Sequence, residues 1–172
     1  MLKLAGALMI IVSAGGIGIS CSVDVKRYCM ELRLLKQMLY MLRGEIKYTK
    51  TPLEEAFLAI SVRMPEPFSL FLKRTAEEME NLDGRTFGEL WRDQIQKGLA
   101  GTKLKREDRE QLGVLGESLG YLDLEMQLSS IELYLEQLEI RIRDAQESLT
   151  GKQKLYQSLG VAGGIFLVIL LL

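Results

Sequence analysis

The chain has 172 residues, of which 22 are Lys or Arg, 23 are Asp or Glu and none is His, so its formal net charge is −1. Histidine is the commonest general base and metal ligand, and its absence excludes every Ser-His or Cys-His catalytic pair. Acidic and basic residues are interleaved, so we expect no basic face for a nucleic acid. We therefore predict a protein that is not an enzyme and that uses no cofactor, metal ion, nucleic acid or small-molecule substrate.

Two uncharged apolar segments enclose the charged part of the chain. Residues 4–23 and 155–172 carry no charged side chain, and all 23 acidic residues lie between them. A helix needs about 17–25 apolar residues to cross the hydrocarbon core of a bilayer. The sequence therefore predicts transmembrane helices at residues 4–23 and 155–172, in contact with membrane lipid, and one soluble domain at residues 24–154.

Basic residues beside the two segments predict the orientation of this domain. Those on the domain side are Lys26, Arg27, Arg33, Lys36, Arg43, Arg141, Arg143, Lys152 and Lys154, whereas Lys3 alone lies on the other side. Because Lys and Arg near the ends of spans stay in the cytoplasm, we expect a cytoplasmic domain with both chain ends across the membrane. Two alternatives stay open for the first segment, a cleaved signal peptide and a lipid anchor on Cys21.

The second apolar segment also contains a motif for packing inside the membrane. Gly160 and Gly164 form a G-x-x-x-G pattern. Small residues at this spacing let two helices approach closely in lipid. We therefore predict that Gly160 and Gly164 are transmembrane packing residues.

Long helices are predicted at both ends of the soluble domain, because apolar residues recur there at alternating steps of three and four. The first seam consists of Val25, Tyr28, Leu32, Leu35, Leu39, Leu42 and Ile46. The second consists of Leu124, Leu128, Ile131, Leu135, Leu138, Ile142, Ala145 and Leu149, with Asp123 placed to cap its helix. Two such helices are expected to run antiparallel and to pack against each other.

Four shorter helices are predicted between these seams, at about residues 52–64, 67–82, 87–98 and 104–120. The segments 51–54 (TPLE) and 86–89 (TFGE) have the spacing of capping boxes, which satisfy free amide groups at a helix start. Trp91 has helical spacing with apolar neighbours and is predicted to lie in the core. No segment has the alternation of a strand. The predicted fold is all-α, an antiparallel six-helix bundle between two transmembrane helices.

The densest run of charges precedes the fourth short helix and is the candidate docking surface. Its candidate residues are Lys103, Lys105, Arg106, Glu107, Asp108 and Arg109. Runs of mixed sign are also common on solvated helix starts, and this alternative stays open. The nearby loop at residues 98–103 lacks the Gly-Lys-Ser/Thr of a phosphate-binding loop and follows no predicted strand. We therefore expect any nucleotide to be bound by a separate protein.

Three blocks of residues give the chain a family resemblance. The first is MLKLAGAL at residues 1–8, followed by Leu32-Arg33-x-Leu35, Glu45-Ile46-x-Tyr48, Thr51-Pro52-Leu53-x-Glu55-Ala56 and Arg63-x-Pro65. The second is Leu104-x-x-x-Asp108-x-x-x-Leu112-x-x-Leu115-Gly116-x-x-Leu119-Gly120-x-x-Asp123-x-x-x-Gln127, and the third runs from Lys154 through Leu159-Gly160 into the apolar tail. Together they resemble the stage III sporulation protein AB family. Leu122 departs from the pattern, which has Ser there.

The resemblance implies a function that the residue patterns alone do not. Members of this family are membrane proteins of endospore-forming bacteria, made in the mother cell as part of the complex that joins it to the forespore. Their soluble domain is similar to that of the platform protein of type II secretion and type IV pilus machines, which works beside a cytoplasmic ATPase. We therefore expect a platform that docks an ATPase and other channel proteins at the mother-cell membrane. The alternative is a membrane-anchored regulator that acts by helical self-association.

Overall fold

The computed structural model describes the backbone of residues 2–80, 84–121 and 123–171, in which helices are joined by short loops. Side chains are described for residues 23–80, 84–120, 123–148 and 151. The helices are α1 (Leu2–Gly44), α2 (Leu53–Ser61), α3 (Phe68–Met79), α4 (Phe87–Gly98), α5 (Arg106–Tyr121) and α6 (Leu124–Leu171), with a π-helical turn at Glu45–Thr49. No strand occurs in these residues, so the predicted all-α class is confirmed.

The chain divides into two compact units. Met1–Cys29 and Arg143–Leu172 form one unit, and Met30–Ile142 form the other, which we call the central unit. Among the residues that the structure describes, none of the helices is both long enough and apolar enough to span a bilayer. The two predicted spans, except Val23, lie outside the residues whose side chains are described, as do Gly160 and Gly164.

The two heptad seams form much of the core of the central unit. Buried seam residues of α1 are Leu32, Leu35, Leu39 and Leu42, and buried seam residues of α6 are Ile131, Leu135, Leu138 and Ile142. Salt bridges join Lys36 to Glu139 and Arg43 to Glu132, which places α1 and α6 antiparallel within this unit. The expected burial of Leu124 is wrong: its side chain is 44% exposed, because it occupies the first turn of α6.

An aromatic cluster around Trp91 fills the core between α2, α3 and α4. The Trp91 ring lies 4.9 Å from Phe71, 5.4 Å from Phe57 and 5.7 Å from Phe87, measured between ring centroids. Its indole Nε1 donates a 2.8 Å hydrogen bond to the carbonyl oxygen of Leu112 on α5. The predicted core position of Trp91 is confirmed, and the hydrogen bond satisfies the one polar atom of this buried ring.

Glycines on α5 allow α4 to pack closely against it. A β-carbon added to Gly116 would lie 2.5 Å from Cγ of the Trp91 ring. One added to Gly120 would lie 3.2 Å from Cβ of Phe87, and one added to Gly113 would lie 3.2 Å from Cγ of Arg92. These three positions share one face of α5, since they are three and four residues apart. The Leu-Gly-x-x-Leu-Gly motif therefore encodes a close helix crossing.

Two of the three predicted helix caps are present. Thr86 Oγ1 accepts from the Glu89 amide at 3.3 Å while the Thr86 amide donates to Glu89 Oε2 at 2.9 Å, which completes a capping box. Hydrogen bonds that the Glu89 carboxylate accepts, first from the backbone and then from the hydroxyl of Thr86, lower the pKa of Glu89 below its ordinary value. Asp123 caps α6, accepting from the Met126 amide at 2.9 Å.

The expected capping box at Thr51 is wrong. The Thr51 hydroxyl donates to Thr49 Oγ1 at 2.6 Å, and Pro52 is the N-cap residue of α2, without a side-chain cap. The chain enters α2 through the π-helical turn and through Lys50, whose φ of 52° is left-handed. This turn brings the two threonine hydroxyls together. The Thr51 hydroxyl therefore bonds to Thr49 and does not cap α2, although the sequence has the spacing of a capping box.

Candidate docking site

The loop between α4 and α5 is held against α1 by a buried carboxylate. Glu31 is only 4% exposed, and its Oε2 accepts a hydrogen bond from the backbone amide of Lys103. Within the loop, the Thr102 hydroxyl donates to the carbonyl oxygen of Leu99 at 2.6 Å. Leu99 and Leu104 are both buried. The loop is therefore a fixed part of the central unit.

The start of α5 is fixed to α6 through Asp108. This side chain is 1% exposed, and its Oδ2 accepts from the Lys105 amide at 2.8 Å, as a carboxylate at the third helical position can do. Its Oδ1 forms a salt bridge with Arg141. Its backbone carbonyl accepts from the Tyr134 hydroxyl at 3.1 Å. Asp108 therefore positions the loop and is not part of an exposed docking surface.

The remaining candidate residues are on the outside. Lys103, Lys105, Arg106 and Glu107 are exposed, and Arg109 is half-buried. Arg106 Nε donates to Glu110 Oε1 at 2.6 Å, and this hydrogen bond raises the pKa of Arg106 above its ordinary value. The run Lys103–Arg109 thus separates into an outer charged surface and one buried carboxylate that supports it.

A groove of about 670 Å³ lies beside this surface, between α4 and α5. Its lining combines arginines and the carboxylate of Glu110 with small or apolar side chains, among them Arg92, Ile95, Ala100, Arg106, Arg109 and Val114. Val114 is 57% exposed, which is high for an apolar residue on a helix that packs into the core. We call this feature the α4–α5 groove. Such a groove presents cationic and apolar groups to the same ligand.

Sequence reasoning did not find several residues that build this site. Glu31 and Arg141 look like ordinary charges on long helices, but they hold the two ends of the loop region through Lys103 and Asp108. Among the residues that build this site, only Asp108 could be recognised from the sequence. The Leu104-x-x-x-Asp108 spacing places an acid three residues after the N-cap of α5, where it can accept a hydrogen bond from a backbone amide. Val114 carried no such signal, since its exposure depends on tertiary packing.

The described residues contain no cluster that suggests a metal site. No group of three or more Cys, Asp or Glu side chains lies close enough to hold an ion in this part of the chain. Cys29 is a free buried thiol. The two buried carboxylates of the loop region, Glu31 and Asp108, are both engaged by backbone amides. The exposed charges around them are therefore held in fixed positions by the fold.

These features define an all-α protein whose central unit carries a fixed, charged groove. The family model of stage III sporulation protein AB matches residues 3–172. The chain therefore belongs to the stage III sporulation protein AB family, and the resemblance carried by its three sequence blocks is confirmed.

Two relatives agree with this assignment. Stage III sporulation protein AB of Bacillus subtilis (strain 168) is 29% identical over 172 residues, which is 100% of both chains. A solved structure of stage III sporulation protein AB superposes with a TM-score of 0.66 and 27% identity, over 72% of this chain and 97% of that chain. The helical fold described above is thus shared with an experimentally determined member of the family.

Proposed function

We propose that the protein is a non-enzymatic platform in the channel complex between mother cell and forespore, where it docks a separate cytoplasmic ATPase during endospore formation. The observation that carries the proposal is the family match along residues 3–172. The absence of a nucleotide-binding motif in the sequence fits this role, since the energy for transport must then come from a partner. The α4–α5 groove and the adjacent charged run supply a surface for that partner.

The proposal includes a membrane location. Residues 4–23 and 155–172 would cross the mother-cell membrane that surrounds the forespore, with Gly160 and Gly164 packing in the bilayer and residues 24–154 in the cytoplasm. The uncharged segments and the basic residues beside them support this arrangement.

A cysteine accessibility experiment tests the topology. In a full-length variant with Cys21→Ala and Cys29→Ala, Arg74→Cys introduces one exposed thiol on α3. We expect a membrane-impermeant thiol reagent to label this cysteine only after the cells are lysed. Labelling in intact cells would place the domain on the opposite side and contradict the proposal.

The docking role is tested by charge reversal on the exposed part of the run. The full-length Lys105→Glu/Arg106→Glu variant should lose co-purification with the ATPase of the sporulation complex, and wild-type binding should weaken as salt rises, because exposed charges are screened over about 10 Å at 0.1 M. Lys73→Glu/Arg74→Glu on α3 is the matched control, since both side chains are exposed and distant in sequence. Equal recovery of the ATPase with both double variants would exclude this surface.

The alternative function, regulation by self-association, is favoured by one observation on α6. Met126, Leu133 and Ile140 are exposed and seven residues apart, so they form an apolar stripe on the face opposite the buried seam. The burial of the seams inside one chain supports the platform instead, because residues buried within one chain are not available for a coiled coil between two chains. A disulfide between two full-length copies carrying Leu133→Cys would favour the regulator, and a monomeric product would favour the platform.

A further inference from the structure

Arg109 differs from the other half-buried cations of the chain. Among the side chains that the structure describes, the half-buried basic residues are Lys36, Arg43, Arg109 and Arg141. Lys36, Arg43 and Arg141 each form a salt bridge with a carboxylate of another helix. Arg109 has no carboxylate within ion-pair distance in this part of the chain, and Nη1 makes only a long hydrogen bond of 3.4 Å to the Leu99 carbonyl.

A half-buried guanidinium with unused donors is a strong site for a carboxylate. Arginine offers five N–H donors in a planar fork that matches the two oxygens of a carboxylate. Partial burial removes water that would otherwise compete, which strengthens such a pair relative to one at an open surface. Arg109 also lines the α4–α5 groove, which is open to an external ligand.

The residues around Arg109 favour a negatively charged ligand. Glu110, which lines the groove, is paired with Arg106, and Glu117 is paired with Arg92, so neither carboxylate is paired with Arg109. Asp108 is buried with Arg141 and does not face the groove as an unpaired charge. The guanidinium of Arg109 therefore remains available to an incoming carboxylate.

The groove also offers an apolar contact next to this cation. Val114 is exposed at its edge, and Ala100 lines it close to the start of α5. Covering the exposed part of Val114 removes apolar surface from water, so a ligand with an apolar side chain gains from this edge. Protein segments combine both groups, whereas free anions lack the apolar part.

We propose that the α4–α5 groove binds an acidic segment of the partner protein, with an Asp or Glu carboxylate on Arg109 and a neighbouring apolar side chain on Val114. This inference rests on the proposed docking function and specifies the chemistry of the partner. It differs from the exposed charged run, because the anchor is a half-buried arginine in a groove.

Photo-crosslinking of the full-length chain in sporulating cells tests the inference. A photoreactive phenylalanine analogue replaces Val114 in one strain and replaces Val62, which is 87% exposed on the α2–α3 connection, in a control strain. We expect the Val114 position to crosslink to the ATPase, and mass spectrometry to place an Asp or Glu within one helical turn of the crosslinked residue. The Val62 position should give no such product.

Two substitutions examine the role of the arginine. Arg109→Gln removes the charge and should lower the yield of the Val114 crosslink about tenfold, because a bond to a charged group is lost. Ala100→Asp leaves Arg109 intact but adds a negative charge to the groove, and it should lower the yield in the same direction. Emission of Trp91, the single tryptophan, checks that both variants stay folded.

The outcomes separate this inference from the proposed function. An ATPase that co-purifies but does not crosslink at Val114, or crosslinks through a segment without acidic residues, would overturn the acidic-segment inference and leave the docking function standing. A crosslink to lipid, or one unaffected by Arg109→Gln and Ala100→Asp, would overturn it too. Failure of the ATPase to co-purify with the wild-type chain would overturn both.

Discussion

Replacing Gly116 by alanine should destabilise the protein, although alanine is the better helix former. The added β-carbon would lie 2.5 Å from Cγ and 2.8 Å from Nε1 of Trp91, whereas carbon atoms in contact lie about 3.5–4.0 Å apart. Overpacking of this kind costs about 1–3 kcal/mol, and moving the ring also strains the hydrogen bond to the Leu112 carbonyl, worth about 1 kcal/mol. The helix propensity of alanine offsets about 1 kcal/mol.

The expected net loss is therefore about 1–3 kcal/mol in the free energy of unfolding. Urea unfolding followed by the emission of Trp91 measures it, because this is the only tryptophan of the chain. Gly44→Ala is the matched control: Gly44 has helical backbone angles, and no atom lies within 4 Å of an added β-carbon. A Gly116→Ala variant as stable as Gly44→Ala would refute the close helix crossing.

Three further predictions concern buried and capping residues. Leu35→Asp should unfold the central unit, because it buries an unpaired carboxylate, whereas Leu133→Asp at an exposed site should melt like the wild type. Asp108→Ala should cost about 3–5 kcal/mol in urea unfolding, since it leaves Arg141 without its partner; a loss below about 1 kcal/mol would contradict this. Thr86→Ala should raise the pKa of Glu89 towards its ordinary value in an NMR titration. Because that pKa is lowered in the folded state, the stabilisation is complete above the ordinary value and is lost as pH falls through the lowered one.

The regular part of the fold could be predicted from the sequence, because heptad periodicity reports directly on burial. Leu35 and Leu138 are fully buried as their seams predict. The seam fails at Leu124, where the first turn of α6 leaves the apolar side chain exposed. The cap at Thr51 fails for a similar reason, since the conformation of the preceding turn decides which partner its hydroxyl meets.

The candidate site was harder to predict, because a run of charges does not reveal which members turn inward. Asp108 becomes buried through Arg141, which lies 33 residues away in the chain. The unpaired state of Arg109 likewise depends on which carboxylates the fold places nearby, and no local pattern encodes that. The sequence therefore predicts where the charged segment lies, but not which of its residues are buried and which are exposed.

The ion pairs between α1 and α6 do not by themselves fix how far one helix slides along the other. Both apolar seams repeat every seven residues, and Glu125 precedes Glu132 by the same interval. A slide of seven residues, about 10 Å, would therefore offer Lys36 and Arg43 new acidic partners and offer the seams new apolar ones.

Only contacts that do not repeat can choose between these two alignments. The hydrogen bond of Glu31 ties α1 to the amide of Lys103, and the salt bridge of Asp108 ties α6 to the start of α5 through Arg141. Lys103 and Asp108 are five positions apart, so the short segment between them sets the position of α1 along α6. Insertion or deletion of a single residue between Lys103 and Asp108 would change the distance between these two contacts by less than the seven-residue repeat. Neither alignment of α1 and α6 would then satisfy both contacts.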